Sequence, residues 1–155
     1  MTAEEIFKAD GRYFGEATFD GIPVSIAYIK EFRWSWIACQ MNTFIIVGEA
    51  PSVNRPQMEA FSNAAFEYSL KNNKGWRRGL QSGVTSLCIL KSASIDPGAI
   101  QFCEKSPPKH WSAFEVPVLY NTIDKTKYRY KSTPNWGRLY YPYFSKLIEQ
   151  TVTRF

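Results

Sequence analysis

The chain has 155 residues, 45% of them hydrophobic and 21% charged, and its formal net charge is +5. These values predict one globular domain over residues 1–155, and no apolar run approaches the ~20 residues that a membrane-spanning helix needs. The first ten residues, MTAEEIFKAD, begin with acids and lack the basic and apolar segments of a secretory signal, so we expect a soluble cytoplasmic protein with no membrane partner.

The N-terminal part of the sequence predicts a short helix followed by a β-meander. Thr2 and Glu5 have the spacing of a capping box, which predicts a helix over residues 3–9. Alternating apolar and polar residues then predict four strands separated by tight turns, over residues 12–19, 23–30, 32–40 and 43–48. In the third strand, Trp34 and Trp36 share one side, which we expect to be buried.

The middle of the chain predicts the longest helix, over residues 55–72. Asn54 offers an N-cap, and Pro56 suits the first helical turn. Apolar residues at helical spacing form a stripe that is expected to pack on the sheet: Met58, Phe61, Ala65 and Tyr68.

The C-terminal half predicts two parallel strands joined by a helix, then a hairpin and a final helix. The predicted elements are a strand over 84–91, a helix over 97–105, a strand over 111–121, an edge strand over 125–131 and a helix over 142–153. The length of the connection suits a right-handed crossover between the first two strands. Pro117 predicts a bulge or an edge position within the second.

This order of elements predicts an α+β fold. We expect a mixed, mostly antiparallel sheet with the β-meander at its N-terminal end. The helices are expected to pack mainly on one face of the sheet.

Cysteine and histidine usage argues against a metal site. Cys39, Cys88 and Cys103 lie far apart with no CxxC pair, so neither a disulfide framework nor a zinc site is expected. His110 is the only histidine, and no carboxylate pair accompanies it at ligand spacing. We therefore expect no metal, no cofactor and three buried thiols.

Two residues are candidates for a small-molecule pocket. His110 lies in PPKHW, where the prolines and the lysine indicate an exposed loop. Glu115 lies in the apolar segment SAFEVPVL, where a buried carboxylate would suit acid–base chemistry, although strand alternation favours an outward, solvated side chain. An aromatic-lined pocket holding either residue would indicate a small enzyme or a ligand-binding protein.

The C-terminal half of the sequence is basic and aromatic. Residues 1–74 carry 7 Lys and Arg against 9 Asp and Glu, whereas residues 75–155 carry 12 against 5. In KTKYRYK, alternation places the cations on a solvent-facing side and turns Tyr128 and Tyr130 inward. The candidate binding surface comprises Lys125, Lys127, Arg129, Lys131, Trp136, Arg138 and Tyr140.

Cations interleaved with aromatic rings are typical of protein interfaces and of surfaces that bind single-stranded nucleic acid. The sequence therefore favours a non-enzymatic binding or accessory module that takes an acidic protein surface, in a homodimer or with another protein. The alternatives are a small enzyme or ligand-binding protein that uses His110 or Glu115, and a single-stranded nucleic-acid-binding protein. A simpler interpretation of the cations in KTKYRYK is that they keep an edge strand from pairing with other chains.

Overall fold

In the computed structural model, which describes residues 1–79, 81–131 and 138–155, four helices surround a six-stranded sheet. The strands are β1 Tyr13–Phe19, β2 Ile22–Arg33, β3 Cys39–Glu49, β4 Ser82–Ser92, β5 Ala113–Asn121 and β6 Lys127–Tyr128. The helices are α1 Ala3–Ala9, α2 Arg55–Asn72, α3 Pro97–Glu104 and α4 Tyr141–Val152. A 3-10 turn, Trp34–Trp36, separates β2 from β3. The predicted α+β class is confirmed.

The strands lie in the sheet in the order of the chain, from β1 to β6. β1, β2 and β3 are antiparallel and form the N-terminal meander. β3, β4 and β5 run parallel, with α2 and α3 in the connections, and β6 returns antiparallel to β5. The parallel pair predicted for residues 84–91 and 111–121 is therefore confirmed, as is the mixed sheet.

The helices divide between the two faces of the sheet. α2 and α3 cover the face that carries Phe44 and Ile46, which we call the α2 face. α1 and α4 cover the opposite face, which carries Ile45 and Leu87 and which we call the α4 face. The expectation of helices mainly on one face is not met. β3 and β4 are buried along nearly their whole length, and strands buried on both faces require helices on both faces of the sheet.

Within residues 1–49, all of which the structure describes, the meander has three strands and not the predicted four. β2 continues through Lys30 and Glu31 to Arg33 without a turn. Trp36 is buried, whereas Trp34 is 81% exposed, so the expected burial is wrong for Trp34. The alternation argument fails because residues 34–36 form a helical turn, and successive side chains of such a turn do not alternate between two faces.

The predicted bounds and buried stripe of α2 are confirmed. Asn54 and Gln57 form a capping box, with hydrogen bonds of 2.9 and 3.0 Å. Met58, Phe61 and Ala65 are fully buried against the sheet, and Tyr68 is partly buried.

Across the described ranges, no helix has the length and apolar character needed to cross a membrane.

Pro117 lies inside β5 without a break in the register to β4, where it pairs with Cys88. Among the described residues, the ladder to β6 involves only Leu119 and Tyr120. At the level of Pro117 the outer side of β5 therefore carries no strand formed by the described residues, and an edge position of this kind tolerates a residue without an N–H.

Candidate functional site

The structure reduces the predicted edge strand over 125–131 to two residues, Lys127 and Tyr128. Its position at the sheet edge is as predicted. Lys127 forms an ion pair with Glu149 of α4. Tyr128 packs on the α2 face and Tyr130 on the α4 face, so the two rings do not share one inward side as predicted. Strand alternation fails here because the ladder ends at Tyr128.

The remaining candidate binding residues do not join this segment in one surface. Lys125 lies near the carboxyl end of β5, with its ammonium group 5.9 Å from the centre of the Tyr120 ring. Tyr140 lies at the opposite end of the sheet, where its ring packs on Trp36 and Phe114 at 5.5 and 5.3 Å. Arg129 is half-buried, Lys131 and Arg138 are exposed, and Trp136 lies outside the described residues.

A different group of large apolar side chains is exposed near the amino ends of β3 and β4. We call Phe32, Trp34, Ile37 and Trp76 the apolar patch; all four are exposed, Trp34 and Ile37 to 81% and 80%. The ring centre of Phe32 lies 5.2 Å from that of Trp34 and 6.1 Å from that of Trp76. Ile37 and Trp76 also line a groove of about 760 Å³.

Buried and loop side chains hold the backbone of Trp76 in place. The Oε1 atom of Gln40 accepts a hydrogen bond from the Trp76 N–H at 2.9 Å. The Ser82 hydroxyl and the Asn73 amide donate to the Trp76 carbonyl at 2.9 and 3.1 Å. The loop is therefore anchored to the sheet while the indole faces solvent.

Asn42 extends this anchor into the protein interior. It is fully buried, accepts a hydrogen bond from the Tyr28 hydroxyl at 2.7 Å, and donates to Ser82 Oγ and the Gly83 carbonyl at 3.1 Å each. Gly75 packs so closely on this amide that a Cβ atom there would overlap Asn42 Oδ1. A buried polar network thus fixes the loop that carries the exposed tryptophan.

The turn that carries Trp34 and Ile37 is strained. Ile37 and Ala38 adopt left-handed φ angles of 57° and 54°. Residues with a Cβ atom rarely adopt this conformation, and β-branched residues such as isoleucine do so least. Backbone strain of this kind concentrates at functional sites, where the surrounding structure holds it in place.

The surroundings of the groove are basic. Arg77 lines the groove, and both Arg77 and Arg78 are exposed. Among the described residues, no Asp or Glu lines it. The groove therefore combines apolar walls with positive charge.

The two pocket candidates, His110 and Glu115, meet in the folded chain. The Nε2 atom of His110 lies 2.7 Å from Glu115 Oε2, and the imidazole stacks on Phe66 with ring centres 4.4 Å apart. The side chain of Glu115 is only 12% exposed, so the expected outward orientation is wrong. Alternation assigns Glu115 to one side of β5, but that side is covered by α2 and α3 and not by water.

His110 and Glu115 line a cavity of about 440 Å³ between β5, α2 and α3, which we call the histidine pocket. In the tautomer that carries its proton on Nε2, His110 donates this hydrogen bond to the Glu115 carboxylate. Within the described residues, the other ring nitrogen, Nδ1, has no hydrogen-bond partner. A carboxylate that orients an imidazole in this way is a common arrangement for ligand binding and for acid–base chemistry.

The cysteines do not add a nucleophile to this pocket. All three are buried free thiols. Burial raises the pKa of Cys88 to about 12 and also raises the pKa of Cys103. A thiol is nucleophilic as the thiolate, so neither residue is activated at neutral pH. The described part of the chain contains no group of three or more His, Cys, Asp and Glu residues suited to a metal.

Comparison with known proteins found no match among protein-family models, curated proteins or solved structures.

Sequence reasoning missed the apolar patch. One available signal was GWRRG, which places a tryptophan beside two arginines in a glycine-bounded loop. The run Trp34-Ser35-Trp36-Ile37 was a second signal, since both sides of that predicted strand carried a large apolar residue. Neither pattern reveals that the two loops meet, because their contact is made by β3 and β4 pairing across 40 residues of sequence.

Proposed function

We propose that this protein is a binding module whose apolar patch, together with Arg77 and Arg78, binds an acidic protein partner. The observation that carries the proposal is the fixed backbone of Trp76 beneath an exposed indole. Both polar groups of that backbone are held by side chains, two of which, Gln40 and Ser82, are buried. A solvated surface loop needs no such anchor.

Binding energetics support this use of the patch. Contiguous exposed apolar side chains mark interaction sites more often than isolated ones do. Tryptophan and arginine are the residues whose truncation most often weakens protein interfaces. A loop that is already ordered also loses less conformational entropy when a partner binds, so more of the contact energy appears as affinity.

The charge around the groove supports an acidic partner. Arg77 lies on the groove wall, and among the described residues no carboxylate opposes it there. Opposite charge on the partner would speed encounter and suppress wrong partners, and this contribution falls as salt rises.

The shape of the patch supports a protein over a nucleic acid. Bases stack on flat, open ring faces. Here the rings of Phe32 and Trp34 are inclined at 86° and those of Phe32 and Trp76 at 70°, so they do not form a row of parallel platforms. The exposed aliphatic side chain of Ile37 offers no stacking surface, but it suits an apolar side chain of a protein partner.

Capture from an extract of the native cells, followed by measurement of affinity for the captured protein, tests the proposal. Trp34→Ala and Trp76→Ala should each weaken binding by about 30-fold, equivalent to about 2 kcal/mol, as expected for interface hot spots. Ile123→Ala is the matched control, because Ile123 is 75% exposed but lies in the hairpin between β5 and β6. It should bind as the wild type does.

Two further measurements separate the alternatives. Replacing Lys125, Lys127, Arg129 and Lys131 with Gln should leave binding intact. A large loss of affinity would instead place the binding surface on residues 125–131. A gel shift with single- and double-stranded oligonucleotides should show no complex that depends on Trp34. A Trp34-dependent complex would replace the protein partner with nucleic acid.

A further inference from the structure

The histidine pocket has the size and walls of a small-molecule site. Its volume of about 440 Å³ lies within the range of about 300–1,000 Å³ that such sites occupy. Its apolar lining residues are Phe66, Phe102, Pro107, Pro108 and Pro117. Flat rings and prolines favour a ligand with a flat apolar group, which makes contact over its whole surface.

The pocket also contains a fixed hydrogen-bonding group. The imidazole of His110 is held on one side by the stacked ring of Phe66 and through Nε2 by Glu115. When Nε2 donates to Glu115, Nδ1 of the neutral imidazole is an acceptor. A ligand that binds to this neutral tautomer at Nδ1 supplies an N–H or O–H donor.

The charge of the pocket distinguishes among such donors. Its lining carries three carboxylates, Glu59, Glu67 and Glu115, against one ammonium group, that of Lys105. Arg55 pairs with Glu59 at 2.8 Å, and Lys105 lies over the ring of Phe102 at 5.1 Å. Among the described residues, Glu67 has no ion-pair partner. The carboxylates of the lining thus outnumber the neighbouring cations, Lys105 and Arg55, by one, in a chain whose net charge is +5.

We propose that the histidine pocket binds a small organic amine with a flat apolar body. The rings and prolines contact the body, Nδ1 of His110 accepts a hydrogen bond from the ligand, and Glu67 and Glu115 attract the ammonium charge. This site is separate from the apolar patch, and neither proposal depends on the other.

The imidazole itself provides the readout, because His110 is the only histidine and its ring nitrogens give a single set of signals in a long-range ¹H–¹⁵N spectrum. Benzylamine and tryptamine should each shift these signals in a saturable way. Benzoate and indole-3-acetate, which have the same rings but the opposite charge, should not shift them. Methylamine, which lacks the ring, should bind at least about 10-fold more weakly than benzylamine, since it buries little apolar surface.

Glu67→Gln tests the contribution of charge with little risk to folding, because Glu67 is exposed. The loss of this carboxylate should weaken benzylamine binding by about 3- to 10-fold at low salt. Glu104→Gln is the matched control: Glu104 is an exposed residue of α3 that does not line the pocket. The Glu104→Gln variant should bind benzylamine with the affinity of the wild type.

Three results would overturn the proposal. The first is the absence of a saturable imidazole shift with both amines, and the second is an equal response to amines and to their matched acids. The third is an equal loss of affinity in Glu67→Gln and Glu104→Gln, which would assign the effect to the overall charge of the protein and not to the pocket.

Discussion

The Oε1 atom of Gln40, a buried residue of β3, accepts a hydrogen bond from the N–H of Trp76, an exposed residue 36 positions later in the chain. The same oxygen also accepts from the Asn42 amide at 3.4 Å. The buried side chain of Gln40 thus fixes the position of the exposed indole of Trp76. Substitutions in the interior should therefore change the conformation of the apolar patch even when every residue of the patch is kept.

Gln40→Met should remove this connection while conserving much of the side-chain volume. It leaves the N–H of Trp76 without its partner, so we expect the free energy of unfolding to fall by about 1–3 kcal/mol. Amide hydrogen exchange at Trp76 should become faster. Gln150→Met, at an exposed position of α4, is the control and should change neither quantity. Unchanged exchange at Trp76 in the Gln40 variant would show that the loop is held by other contacts.

Gly75→Ala should disturb the same network from the side of the loop. A Cβ atom at residue 75 would overlap the side-chain oxygens of Asn42 and Gln40, so the loop or the network must move. We expect a loss of about 1–3 kcal/mol, measured by denaturant unfolding. Gly98→Ala in α3 is the comparison, because its Cβ atom would lie 3.5 Å from Arg55 Cβ, an ordinary contact. A Gly75 variant as stable as the Gly98 variant would contradict the close packing.

Thr43 and Thr85 are neighbours in β3 and β4 that differ in hydrogen bonding, and both are fully buried. Among the described residues, Thr43 Oγ1 has no partner, whereas Thr85 Oγ1 donates to Met41 Sδ at 3.1 Å. Thr43→Val should therefore stabilise the protein by about 1 kcal/mol, because a buried hydroxyl without a partner is costly. Thr85→Val should stabilise it less. Thermal unfolding of the two variants, measured side by side, compares the two effects. A larger stabilisation by Thr85→Val would mean that the Thr43 hydroxyl has a hydrogen-bond partner.

Cys88 should make the protein less stable in alkali. Burial raises the pKa of its thiol to about 12, whereas an unfolded cysteine ionises near pH 9. The unfolded chain thus releases the proton first, so the stability from Cys88 is complete below about pH 9 and is lost as the pH rises towards 12, by up to about 1.4 kcal/mol per unit. The difference in unfolding free energy between wild type and Cys88→Ala should shrink from pH 8 to pH 10.5.

Ile89→Val is the control for this pH series, since it removes a buried methylene group and no proton. Its cost in unfolding free energy should stay constant over the same range. A constant cost for Cys88→Ala would mean that the native thiol ionises as readily as the unfolded one.

Phe61→Ala should cost about 3–5 kcal/mol, because the ring of Phe61 is fully buried between α2 and the sheet. Phe61→Leu conserves most of the volume and should cost less than about 1.5 kcal/mol in the same denaturant titration. A loss below about 1 kcal/mol for the alanine variant would show that the stripe of α2 does not face the core.

Local chemistry explains which elements the sequence could predict. The bounds and the buried stripe of α2 follow from its cap at Asn54 and from apolar spacing, and both signals lie within the helix itself. The parallel pair β4 and β5 follows from the length of the connection between them. These elements depend little on the rest of the chain.

The features that could not be predicted depend on what covers a residue. Alternation places Glu115 correctly on one side of β5, but only the packing of α2 and α3 turns that side into the wall of a pocket. Alternation does not apply to Trp34, because β2 ends one residue earlier, at Arg33, and Trp34 begins the 3-10 turn. The ladder between β6 and β5 likewise involves only Leu119 and Tyr120 of β5, a limit that the sequence of residues 125–131 does not show. Each of these outcomes is set by contacts distant in sequence.

The strand order has a consequence for how the chain assembles. In the part of the chain that the structure describes, each strand after β1 pairs with the strand synthesised immediately before it. No strand has to be inserted between two that are already paired, so the sheet can grow strand by strand as the polypeptide leaves the ribosome. During such growth the newest strand is always an open edge, and the last one added, β6, is only two residues long. Within the described residues, vectorial synthesis therefore ends on a strand that covers only Leu119 and Tyr120 of β5, and along the rest of that edge Pro117 removes one N–H to which another chain could pair.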